Sequence, residues 1–294
     1  MPAAAGAGRA VRVDALHHPG GAGGPPQPGF FGGLLGRTRD PLFVLRDPNR
    51  PDFALPELAP GGRLVPRRRL LGRLGGPAGG RDAPSRELAG FQARAFDLLQ
   101  SAATQRAFRI DREPPAVRDR YGRNVYGQCT LLARRLIEAG TRVACISWAP
   151  DANATWDTHA GNFAKLKGTL LPQLDLAVSA LLDDLLDRGL LARTLVAVMG
   201  EFGRSPKVNG AAGRDHWNFC YGLLLAGGGV KGGYVHGASD RIGARPSQSP
   251  VTPGDVVATI YHCLGIDPGM ELQDRLARPF ALLPQGAPIR EVLA

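Results

Sequence analysis

The chain has 294 residues, 44% hydrophobic and 21% charged, with a formal net charge of +10, the balance of a folded globular protein with room for a sizeable core. No apolar run approaches the roughly 20 residues of a membrane-crossing helix. The stretch MPAAAGAGRAVRVDALHHPGG has neither the apolar centre of a secretory signal nor a twin-arginine pair, so the chain as it stands reads as cytoplasmic. The positive charge does not read as a nucleic-acid surface: residues 61–135 hold sixteen arginines and six acids and carry the whole excess, with no helix-turn-helix pattern, zinc-finger spacing or aromatic–basic platform.

In chain order, residues 1–14 are expected to be disordered, and the Gly- and Pro-rich stretch to residue 62 to form loops and extended segments anchored by Phe30, Phe31, Phe43 and Phe53. A helix is expected from about Ser85, with Leu88, Phe91, Ala95, Leu98 and Leu99 on one face. A second runs from Tyr126 to Ala139 and stops at Gly140. TRVACISW (141–148) reads as a strand covered on both faces of a parallel sheet. It leaves into the polar loop APDANATWDTHAGN, and an amphipathic helix follows over 170–188. TLVAVM (194–199) and the start of YGLLLAGGG (221–226) are the next strands of the same parallel sheet, and AGGGVKGG (226–233) is a turn. Thr252, Pro253 and Asp255 open a last helix, in which His262 reads as a core residue. The four cysteines form no CxxC pair and read as buried thiols.

Strands alternating with helices make an α/β pattern, and open parallel sheets bind ligands where their strands end. Asp157, His159 and Glu201 stand at such exits, and GRDHW adds Asp215 and His216. Three carboxylates and two imidazoles are a mixed N/O set suited to a divalent metal such as Zn or Mn. Arg204 and Arg214 flank them and could grip the oxygens of a phosphate or sulfate. Plainer readings stay open: a self-capping Asp-x-His turn, a Glu201–Arg204 salt bridge, and simple hydrogen bonding at Asp215–His216. No GxSxG elbow occurs, so a serine hydrolase is not indicated and no catalytic nucleophile can be named.

The segments WDTHAGNFAKLKGTLLPQLDLAVSALLDDLLDRGLL, TLVAVMGEFGRSPKVNGAAGRDHW, LLLAGGGVKGGYVHGASDRIGA and TPGDVVATIYHCLGIDP closely resemble the family called domain of unknown function 1501. This is a sulfatase-like branch of the alkaline phosphatase superfamily, and the likeness runs from about residue 15 to the C-terminus. It implies an α/β sandwich with a mainly parallel central sheet flanked by helices over residues 15–294, and divalent metal at the strand ends. It also implies a metal-dependent hydrolase of small sulfate or phosphate esters. The alternative is a non-catalytic metal- or anion-binding module of an exported or surface-associated protein. By the same likeness Asp157 and His159 match the upstream metal-binding pair and His216 the downstream histidine. Glu201-Phe202 stands where the superfamily commonly has a metal-binding Asp-His pair. Family members usually carry a further N-terminal portion, often behind a twin-arginine signal, with the first strand and early ligands or nucleophile. The chain is therefore expected to be an N-terminally truncated member with an incomplete site. Nothing in the sequence indicates its oligomeric state.

Overall fold

The computed structural model of the chain describes residues 10–13, 29, 31–55, 64–73, 83–148, 156–274 and 276–294. It is a mixed α/β structure whose contacts fall into two compact units, one of residues 1–155 and 173–181, the other of residues 156–172 and 182–294.

In the first unit β1 (Ala10–Val13), β2 (Leu42–Val44) and β3 (Val143–Ile146) form a parallel sheet in the order β2-β1-β3. The expectation of disorder over 1–14 fails at residues 10–13, while 1–9 and 14 lie outside the described residues. AVRV alternates as a strand should, with Val11 and Val13 buried. Four residues are too short a period to stand out from a glycine-rich context. β3 stands at one end of the sheet and alternates between exposed and half-buried positions, so the reading of a strand covered on both faces fails. The covered strand is β1.

Helices α1 (Leu64–Arg73), α2 (Ala83–Gln100), α3 (Ala102–Ala107), α4 (Pro115–Arg120) and α5 (Val125–Glu138) complete this unit. The Asn124 side chain starts α5 by accepting from the N–H groups of Tyr126 and Gly127 at 3.1 and 2.9 Å. Leu131, Leu132 and Leu136 of α5 pack with Val11, Val13 and Val44 of the sheet. Phe53 packs against the core, as expected of an anchor, whereas Phe31 is exposed and meets Phe43 of the same stretch, 5.5 Å between ring centres; Phe30 lies outside the described residues. Arg134 is fully buried and bonded to Glu113 at 2.8 Å and to Glu138 at 2.6 Å, and Arg135 also pairs with Glu113. Burial would raise the Glu113 carboxyl's pKa, but the two guanidinium groups outweigh it and hold it below the usual range.

The second unit opens on a loop at Trp156 that leads into α6 (Asn162–Lys165), a π turn (Leu166–Leu170) and α7 (Leu171–Asp187), whose residues 173–181 count with the first unit. Pro172 has no N–H to give the carbonyl four residues back, which accounts for the widened turn before it. β4 (Val196–Val198) pairs with β7 (Leu224–Ala226), and between them β5 (Gly203–Arg204) pairs with β6 (His216–Trp217), both antiparallel. The expectation that 194–199 and 221–226 lie parallel in one sheet with 142–147 is thus wrong. No helix separates β4 from β7, and a parallel pair needs a crossover of a dozen or more residues, usually helical. The chain simply turns back.

Beyond β7 come the small ladders β8 (Ala238–Ser239) with β9 (Pro246–Gln248) and β10 (Glu271–Gln273) with β11 (Pro279–Ala281). Helix α8 (Pro253–Cys263) starts as the sequence predicts, with Thr252 and Asp255 in a reciprocal capping box. His262 is exposed rather than in the core. Of the cysteines only Cys129 is buried; Cys145 is exposed and Cys220 and Cys263 are half-buried. No helix among the described residues is long and apolar enough to cross a membrane.

Candidate metal centre

Two segments about fifty residues apart in sequence are stitched together by their backbones. The N–H of Arg214 donates to the carbonyl of Thr158 at 3.0 Å, and the N–H groups of Gly161 and Asn162 donate to Ala211 and Ala212 at 3.0 and 2.9 Å. Two glycines make the approach possible. Gly161 holds φ at +59°, and a Cβ on Gly213 would land on the carbonyl of His159. Asn209 fastens the same seam. Its side-chain oxygen accepts from the N–H groups of Ala211 and Gly213, and its nitrogen donates to the His159 carbonyl and to Asp215 Oδ1, each at 2.9 to 3.0 Å.

Along this seam Thr158 is buried while Asp157 and His159 turn the other way together, as expected of an Asp-x-His in extended chain. On the facing segment, the register of β5 with β6 sets Arg204 opposite His216. The outcome is a triangle. Asp157 Oδ1 lies 2.9 Å from His216 Nε2 and 3.1 Å from His159 Nε2, and the two Nε2 atoms are 3.1 Å apart. Atoms bound to one ion at about 2.0–2.2 Å stand about 2.8–3.6 Å apart for bond angles from right to tetrahedral. The three edges fit that range. Asp157, His159 and His216 are the three described residues that gather in this way.

Asp215 lies outside the triangle but holds one corner, with its Oδ1 3.0 Å from His159 Nδ1. With the ring proton assigned to Nδ1, against that carboxylate, the Nε2 lone pair faces the carboxylate of Asp157. Two acceptors 3.1 Å apart repel unless a proton or a cation lies between them. Burial would raise the pKa of Asp157, yet hydrogen bonds from His216 and Arg204 and the charge of Arg204 carry it below the usual range. Asp215 is held below that range by the hydrogen bonds from His159 and Asn209. Both carboxylates are ionised at neutral pH, as ligation requires.

The remaining candidates divide. Arg204 gives its Nη1 to Asp157 Oδ1 at 2.6 Å, so its ion pair is with Asp157 and not with Glu201. Glu201 is exposed and does not belong to the triangle. Its neighbour Phe202 lays its ring 4.5 Å from the His216 ring. Arg214 bonds the carbonyls of Ser205 and Pro206 through Nη1, the latter at 2.8 Å, and its guanidinium lies 5.5 Å from the Phe163 ring. It ties the loop rather than facing the triangle. Sequence reasoning missed Asn209, whose only signal was its place before Gly210 in a turn-forming pair.

No curated protein and no solved structure matches the chain. The family described as "Protein of unknown function (DUF1501)" matches residues 13–293, so the seam and the triangle it supports lie wholly within the matched region, and the chain belongs to that family.

Proposed function

We propose that Asp157, His159 and His216 hold one divalent cation of the zinc or manganese class, and that the site acts on small sulfate or phosphate esters. The observation that carries the metal reading is the gathering of Asp157 Oδ1, His159 Nε2 and His216 Nε2 within 3.1 Å of one another, with His159 Nδ1 held on its far side by Asp215. When bound, such an ion polarises an ester oxygen and lowers the pKa of a water. His159 is aimed by Asp215, His216 is set by the β5–β6 ladder and backed by Phe202, and Arg204 supplies positive charge beside the ligand carboxylate. The ester part of the reading, and the sulfatase-like sandwich that goes with it, rest on the resemblance of the strand-GEFGR and GRDHW blocks to a branch of the alkaline phosphatase superfamily.

A second reading keeps the ion and drops the turnover: a metal- or anion-binding module. The exposure of His159 and His216, with about half of each side chain open at 46% and 52%, favours it, because ester hydrolysis gains from a water-excluding pocket. Metal analysis of purified protein, followed by assays on aryl sulfate and aryl phosphate esters, separates the two. Metal-dependent turnover abolished in His216→Ala supports the hydrolase. Stoichiometric metal without turnover supports the binding module, and a chain that takes up no zinc or manganese refutes both.

A further inference from the structure

Three nitrogens crowd one oxygen. Asp157 Oδ1 has Arg204 Nη1 at 2.6 Å, His216 Nε2 at 2.9 Å and His159 Nε2 at 3.1 Å. A guanidinium therefore already supplies positive charge to the atom at which a divalent ion would bind. Arg204 and such an ion carry like charge and share one carboxylate, so each opposes the other.

The rest of the guanidinium has no such engagement. Its hydrogen bond to Asp157 uses one N–H of five, and no other hydrogen bond occupies it among the described residues. Its side chain is 21% exposed, so it can reach solvent. Its flank is set by Phe202, whose ring centre lies 5.9 Å from Cζ. Arg214 differs in place: its Nη1 serves two backbone carbonyls of the loop, those of Ser205 and Pro206, and no ligand carboxylate. Of the two arginines that flank the triangle in sequence, Arg204 alone stands at a ligand, and it has donors to spare. A planar fork of this kind matches a tetrahedral oxyanion in two-point fashion.

We propose that Arg204 is a stand-in cation that trades partners: it neutralises Asp157 until a divalent ion takes the carboxylate, and it then turns its fork to an oxyanion beside that ion. The inference rests on the metal reading above and adds a coupling to it. Metal alone must compete with the guanidinium, and oxyanion alone finds that guanidinium already paired. Together they satisfy every charge. Linkage makes the effect reciprocal, so an oxyanion tightens the metal by the same factor as the metal tightens the oxyanion.

The test measures zinc affinity of the whole chain by competition with a chromogenic chelator, with sulfate as the oxyanion and chloride at matched ionic strength as the control. In the unaltered protein sulfate should tighten zinc about fivefold or more. In Arg204→Gln zinc should bind more tightly than in the unaltered protein when only chloride is present, and sulfate should change it less than twofold. Arg204→Lys keeps the charge without the fork, so zinc in chloride should stay weak while the sulfate effect shrinks; it also serves if the Gln variant fails to fold. Weaker zinc in Arg204→Gln, or a sulfate effect of undiminished size in both variants, would overturn the exchange and leave the metal reading standing. Absence of zinc binding in the unaltered protein would remove both.

Discussion

His159 Nδ1 meets Asp215 Oδ1 at 3.0 Å across 56 positions of chain, and this contact decides which way the imidazole presents its lone pair. The same oxygen is held by Asn209 Nδ2 at 3.0 Å, so the orienting carboxylate is itself oriented. Removing partners of this kind typically weakens metal by 10- to 100-fold. Asp215→Asn should lower zinc affinity by about that range while leaving the thermal melt nearly unchanged, since the group is exposed at 58% of its side chain.

Glu201 and Asp157 give a sharper contrast. Both occupy strand-exit positions in the sequence, yet only Asp157 belongs to the triangle. Glu201→Gln should keep zinc affinity within about twofold of the unaltered protein, and Asp157→Asn should lose about 100-fold or more. Equal losses in the two titrations would return Glu201 to the ligand set.

The seam predicts a steric effect far smaller in chemistry than in consequence. Gly213→Ala places a methyl against the His159 carbonyl, a backbone atom that cannot rotate aside. The variant should lose about 1–3 kcal/mol of stability and should bind zinc more weakly, because the carbonyl that must move belongs to a ligand residue. Chemical denaturation with a parallel zinc titration reads both.

In the first unit, Glu113 is the shared partner of the buried Arg134 and of Arg135. Breaking a buried pair by removing one partner costs about 3–5 kcal/mol, so Glu113→Gln should shift the denaturation midpoint strongly downward. The pH dependence has a definite sign. The folded pKa of Glu113 is depressed, so its stabilisation is fully present above the unfolded carboxyl pKa of about 4.3 and is lost as pH falls through the lower, folded value. Acid titration of the denaturation midpoint should therefore fall more steeply in the unaltered protein than in Glu113→Gln below about pH 4.3.

What the sequence disclosed, and what it hid, follow from the reach of local signals. Helix α5, stopped at Gly140, and α8, opened by Thr252, Pro253 and Asp255, were legible because helix ends and apolar periods act over a few residues. The side-by-side placement of Asp157 and His159 was legible for the same reason. Strand partners were not: β4 reads equally well beside β3 or against β7, and only the absence of a crossover helix decides. β1 was hidden by its shortness and its surroundings. Asn209 was hidden because its partners, His159 and Asp215, are fifty and six positions away and no local pattern records the meeting.

The seam also sets a moment in the life of the polypeptide. Asp157 and His159 are complete early, but their third corner follows 59 and 57 positions later, and the glycine that lets the segments meet comes just before it. Contacts so distant in sequence must pay the closure entropy of the intervening chain before they form. A cation that requires all three corners cannot be captured by a growing chain until residue 216 has been made and β6 has folded back on β5. Metal content would thus report closure of the seam, and a protein released or cleaved before that point would carry an Asp-x-His pair too poor in ligands to retain the ion.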